Sequence, residues 1–194
     1  MTENEKKVLK LLFFAFGEIY SINRIAKECN LAPNGALKIL RKLDNEGILK
    51  FKNIGNMKSY MLDFENEKTK NIIKLALIPE LKGKIRFRAD DLKPLKEIAK
   101  VCIIFGSYAD LKKEPNDIDI FFMIEDKRFN AFKKETSLIY KTMPIKVHDV
   151  LQTEGDVIKN LREKDKVIIE LFKTGIILWG LDKIIKIVEH GYKR

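Results

Sequence analysis

Cysteine is scarce in this chain: two residues in 194, Cys29 and Cys102. They are far apart, in a predicted helix and a predicted strand, and no cysteine spacing suits a metal. A zinc module is excluded, and both read as reduced core thiols of a cytoplasmic protein. No apolar run is long enough to span a bilayer and no signal peptide is visible, so no membrane partner is expected. There is no internal repeat and no low-complexity segment. Acidic groups are in deficit, 28 against 38 Lys and Arg, giving net charge +10 and pI near 9.4. An acidic partner such as nucleic acid or nucleotide follows. The excess is diffuse: 11 basic and 8 acidic groups in residues 1–65, 27 and 20 in the rest. Apolar residues at 45% suffice for a core. Charged residues at 34%, with heavy Ile and Lys use, fit either thermophily or an A/T-rich genome.

The most informative stretch is Val101-Cys-Ile-Ile-Phe-Gly-Ser-Tyr-Ala-Asp110 followed by Asn116-Asp-Ile-Asp-Ile-Phe-Phe-Met-Ile124. Val101 to Phe105 is short and rich in β-branched residues, as a strand buried on both faces should be. Ile118 to Ile124 reads the same way. Side chains alternate along a strand, so Asp117 and Asp119 share one face, their Cα atoms roughly 7 Å apart. Two carboxylates there repel unless something positive lies between them. A divalent metal with a preference for oxygen fits, and Mg²⁺ shares carboxylates with substrate phosphates. Gly106 allows close backbone approach, and Ser107 offers a hydroxyl and an N–H to a phosphate oxygen.

The Gly106-Ser107 turn, a spacer, and Asp117-Ile-Asp119 resemble the signature of minimal nucleotidyltransferases, the branch related to DNA polymerase β. The resemblance covers about residues 91–194. It implies a turn that holds a nucleoside triphosphate, ATP being the first to test, and carboxylates that bind Mg²⁺. It also implies transfer of a nucleoside monophosphate to an acceptor hydroxyl, in some small members on a partner toxin protein. Three positions depart from the pattern. Ala109-Asp110-Leu111 replaces the usual Ala-Arg-Gly, and Asn116 replaces a Ser. A third carboxylate is usual on a later strand, here Pro144-Ile-Lys-Val-His-Asp-Val150. Asp149 and His148 face opposite sides, and Val147 and Val150 flank the pair symmetrically, so alternation leaves both open. Asp149 is the chemically sensible third catalytic residue, beside Asp117 and Asp119.

The N-terminal part carries a second pattern. Thr2 and Glu5 form a capping box ahead of Val8, Leu9, Leu11, Leu12 and Phe16, with Gly17 as the stop. Ser21 caps a second helix through Ile22, Ile25 and Ala26. Asn30 to Pro33 is a turn, and Pro33 suits the first position of a third helix that runs to about Asn45 before Gly47. Leu37, Leu40 and Leu43 are expected inward; Asn34, Lys38, Arg41, Lys42 and Asn45 outward. Ile48–Asn53 and Lys58–Phe64 read as a hairpin bent at Ile54-Gly55-Asn56-Met57. Residues 1–65 thus resemble a winged helix-turn-helix, best in Ile25-Ala-Lys27 and Leu40 to Ile48. The resemblance implies double-stranded DNA as partner, contacted by Asn34, Lys38, Arg41 and Lys42, with Lys50, Lys52 and Lys58 on the wing.

Asn66 caps a helix that Pro79 ends, and Lys82 to Arg88 reads as a basic connection. Leu92 to Lys100 is expected as a helix feeding the first strand. Gly155 to Lys173 is helical with a break near Arg162; Ile176 to Trp179 is a strand and Leu181 to Glu189 a last helix. The expectation is an α/β protein: a winged helix-turn-helix (1–65), a linker helix and connection (66–90), and a nucleotidyltransferase mixed sheet with helices packed on one face (91–194). A homodimer is compatible with this. Two functions compete: a Mg²⁺-dependent nucleotidyltransferase, or a DNA-binding regulator whose second domain binds nucleotide without turnover.

Overall fold

Chain contacts divide the computed structural model into two units, residues 1–78 with 185–194, and residues 79–184. It describes residues 1–16, 18–55, 57–110 and 114–192. The stop expected at Gly17, the bend residue Asn56 and Leu111 lie outside the described residues.

The first unit begins with α1 (Glu3–Phe13). Its capping box forms as the sequence requires: Glu5 N–H donates to Thr2 Oγ1 at 3.2 Å and Thr2 N–H donates to Glu5 Oε2 at 2.6 Å. Val8, Leu9 and Leu12 are buried, whereas Phe16 lies beyond the helix at φ 47°. Ser21 caps α2 (Ile22–Glu28), and Pro33 opens α3 (Pro33–Asn45). Ala36, Leu40 and Leu43 form the buried stripe of α3. Leu37, expected inward, is only half-buried and lines the outer face, because Ala36 takes the core position. Gly47 at φ 71° turns the chain out of the helix, as a position after a helix end favours. Strands β1 (Leu49–Ile54) and β2 (Met57–Leu62) pair antiparallel with Phe51 opposite Tyr60.

Asn66 caps α4 (Glu67–Leu77) and also donates from Nδ2 to Gly47 O at 2.8 Å. That helix was expected in a linker; Thr69, Ile73 and Leu77 bury it within the first unit instead. The last residues of the chain also belong here, Glu189 Oε2 lying 3.0 Å from Lys70 Nζ.

The second unit opens on α5 (Gly83–Leu92), where a loose connection was expected. Ile85 and Leu92 anchor it in the core. The helix expected over Leu92–Lys100 is a short 3-10 turn, Lys93–Glu97, and the chain is already a strand at Ala99. Then follow β3 (Ala99–Phe105), the four-residue α6 (Gly106–Ala109), β4 (Asp117–Ile124), α7 (Phe129–Thr142) and β5 (Lys146–Gln152). α8 (Glu154–Arg162) and α9 (Lys166–Thr174) show the expected break. β6 (Ile176–Trp179) and α10 (Leu181–Tyr192) close the chain.

The mixed sheet has the order β5-β4-β3-β6, with β4 and β5 parallel and the other pairs antiparallel. A parallel pair needs a crossover, which α7 supplies. Cys102, Ile104, Ile120 and Phe122 face the main core, where Phe122 meets Phe132 of α7 edge-on at 4.9 Å. A second, smaller layer covers part of the other face, with Phe172 of α9 against Phe121 at 5.9 Å. Burial of such rings stabilises by about 1.5–3 kcal/mol each. This is the α/β class expected. Both cysteines are free and buried.

Candidate functional site

The layer containing α9 covers Phe121 but not the start of β4. There the alternation of the strand leaves Asp117 and Asp119 on that face, 43% and 32% exposed. Phe105, the last residue of β3, is the register partner of Asp119, so the chain turns at Gly106 directly beside that carboxylate. Gly106 has φ 66°, a conformation that side chains resist. A Cβ built there would collide with Asp119 Oδ2 and sit 3.3 Å from Cγ. Glycine is thus required twice, for the turn and for the space the carboxylate fills. Ser107 follows in the first turn of α6, half-buried. The structure therefore brings Gly106, Ser107, Asp117 and Asp119 together.

Asp149 is not among them. In the parallel pairing, Asp119 lies opposite His148 and Ile120 opposite Asp149. Register partners share a face, so Asp149 points with Ile120 toward α7. It accepts a hydrogen bond from Tyr140 Oη at 3.4 Å, and Lys133 Nζ lies 3.7 Å away. Burial, then the neighbouring Asp149 charge, pushes the Tyr140 hydroxyl well above its ordinary range. Asp149, expected as a third catalytic acid, thus lies on the opposite face from Asp117 and Asp119. His148 is beside them instead: its Nδ1 is 3.6 Å from Asp117 Oδ2 and 3.6 Å from Asp119 Oδ1.

Two cations near the turn are absent from the sequence-based site. Lys146 is the register partner of Asp117 and is exposed; strand alternation from His148 would have found it. Lys84 of α5 donates to Asp110 O at 3.0 Å and lies 4.8 Å from the centroid of the Tyr108 ring. Its ammonium group is thereby held beside Asp110. Nothing in the sequence marks it, because its segment reads as a connection.

Among the described residues, no three His, Cys, Asp or Glu side chains form a ready-made metal cage. The donors present still fit a divalent ion: two carboxylates are exposed on one face, beside the Gly106-Ser107 turn. An ion held by one or two carboxylates takes its other ligands from substrate phosphates and water.

In the first unit, Asn34, Lys38, Arg41, Lys42 and Asn45 line one shallow depression along α3. Lys38 and Arg41 are exposed. Lys42 is also exposed, but it is paired: its Nζ donates to Glu5 Oε1 at 2.7 Å, on a carboxylate side chain only 7% exposed. That hydrogen bond, with the Thr2 N–H, holds the Glu5 carboxyl below its ordinary value. On the β1–β2 hairpin, Lys50 Nζ lies 3.6 Å from Asp63 Oδ1, and Lys58 Nζ lies 5.7 Å from the centroid of the Phe51 ring. Lys52 is exposed.

Comparison with known proteins adds to this geometry. Residues 91–184 match the family model described as polymerase beta, nucleotidyltransferase. No curated protein matches the chain. A crystal structure of AF1382 from Archaeoglobus fulgidus is 18% identical, covering 39% of this chain and 89% of that one, with TM-score 0.33. An apo mutant of ZitR from Lactococcus lactis is 17% identical over 72% of this chain and 81% of its own, with TM-score 0.32. Likenesses this distant do not bear on function. No helix of the described residues is long and apolar enough to cross a membrane.

Proposed function

We propose that residues 79–184 transfer a nucleoside monophosphate from a nucleoside triphosphate to an acceptor hydroxyl. The observation that carries this reading is the placement of Asp117 and Asp119 beside the Gly106-Ser107 turn, inside the segment similar to nucleotidyltransferases. The acceptor oxygen forms a bond to the α-phosphorus, the bond from that phosphorus to pyrophosphate breaks, and the hydroxyl proton leaves to solvent. Ser107 and the N–H groups of the turn bind triphosphate oxygens. Lys146, and Lys84 at the end of the turn, offset the charge of the phosphates. Asp117 and Asp119 would hold a divalent ion, Mg²⁺ in the simplest case, which supplies charge stabilisation to the transferring phosphoryl group. The exposed face of α3, with Lys38 and Arg41, binds double-stranded DNA.

The test is transfer of label from α-labelled ATP, with divalent metal, to components of a host lysate. An acceptor becomes labelled with the native protein, and Asp119→Asn abolishes it. Labelling retained in that variant would overturn the assignment of the carboxylates.

A second reading has its own observation. The third side chain beside Asp117 and Asp119 is His148 and not an acid, and the resemblance to nucleotidyltransferases sets Asp110 where an arginine is usual. A regulator that binds nucleotide without turnover would need neither. In that case no acceptor is labelled, nucleotide still binds, and Asp119→Asn weakens its binding.

A further inference from the structure

With Asp149 turned toward Tyr140, the third side chain at the carboxylates is an imidazole. We infer that His148 is a metal ligand of this site, and that the site therefore takes a divalent transition-metal ion in preference to Mg²⁺. The inference rests on the reading of the second unit as a metal- and nucleotide-binding domain.

Three observations support it. His148 is on the same face as both acids and in register with Asp119. All three side chains are open to solvent, His148 at 44%. His148 Nδ1 also lies 3.6 Å from an oxygen of each carboxylate.

Donor chemistry points the same way. Mg²⁺ prefers oxygen and gives up water reluctantly, whereas imidazole suits the later first-row metals. The protein cannot complete an all-oxygen set through Asp149, which lies across the sheet with Lys133. The open side of the cluster remains for triphosphate oxygens.

The probe is Co²⁺, added to metal-stripped, untagged full-length protein and followed by calorimetry and by the visible spectrum of the bound ion. The chain has two histidines, so His190→Ala serves as the control for adventitious binding. Replacing His148 by Ala is expected to weaken Co²⁺ binding about tenfold or more and to shift the visible band, while Mg²⁺ binding is unchanged. His148→Asp is expected to reverse the preference toward Mg²⁺. Co²⁺ affinity and spectrum unchanged in His148→Ala overturn the inference. If Asp119→Asn abolishes Co²⁺ binding while His148→Ala does not, only the role of His148 falls. If neither variant changes it, the carboxylate site itself falls with it.

Discussion

Gly106 joins backbone geometry to chemistry at a single residue. Alanine there must adopt a positive φ and also press its Cβ on the Asp119 carboxylate. Gly106→Ala is expected to lower unfolding free energy by about 1–3 kcal/mol and to weaken nucleotide binding, as read by denaturant melts and calorimetry. Asp149→Asn makes the opposite case, since its carboxylate faces α7. Nucleotide and metal affinity should stay at the native level, and a large loss would return Asp149 to the site. Gly106, Ser107, Asp117 and Asp119 were legible because a motif and strict strand alternation locate them. The choice between His148 and Asp149 was not, because both flanks of that pair are valines and β5 is an edge strand with a weak apolar pattern. Only the register against β4 decides it. Glu5 was legible as half of a capping box, but its second partner, Lys42, lies 37 residues away. The depressed pKa of Glu5 gives a signed prediction. Its contribution to stability is present above the unfolded value near 4.5 and is lost as pH falls through the lower folded value. Glu5→Gln should therefore flatten the acid side of the stability curve, measured by thermal melts between about pH 3 and 6.

At the scale of elements, α3 divides its cations between two tasks. Lys38 and Arg41 project outward, while Lys42 neutralises a buried carboxylate on α1. Lys38→Ala and Arg41→Ala are expected to weaken duplex DNA binding. Each side chain that pairs with a phosphate contributes about 0.9 to the slope of log affinity against log salt, so each substitution should make that slope shallower by this amount. Lys42→Ala should instead lower the melting temperature and leave the slope near its native value. An unchanged slope in the Lys38 and Arg41 variants would argue for a surface that meets protein. Most elements could be read from caps and breakers: Thr2, Ser21, Pro33, Gly47 and Asn66 each stand where a helix starts or stops. α5 could not. Its interior alternates Lys and Arg with Ile85 and Phe87, and only Ile85 and Leu92 are buried, so no helical apolar stripe shows.

For the whole molecule, the net charge of +10 strengthens encounter with any polyanion, so affinity means little without its salt dependence. The regulator reading has a thermodynamic signature at this scale. If nucleotide changes DNA affinity by some factor, DNA must change nucleotide affinity by the same factor. Titrating each ligand with and without the other checks this, and unequal factors would show that at least one binding event is not at equilibrium or not specific. The parallel pairing of β4 with β5 has a further consequence for lineages of this chain. Sliding β5 by one residue to present Asp149 would also turn Val147 and Leu151 out from under α7, which the core resists. Yet histidine and aspartate codons differ at one base. A three-acid site is thus a single point mutation away at position 148, while the aspartate already present next door is, for evolution, out of reach.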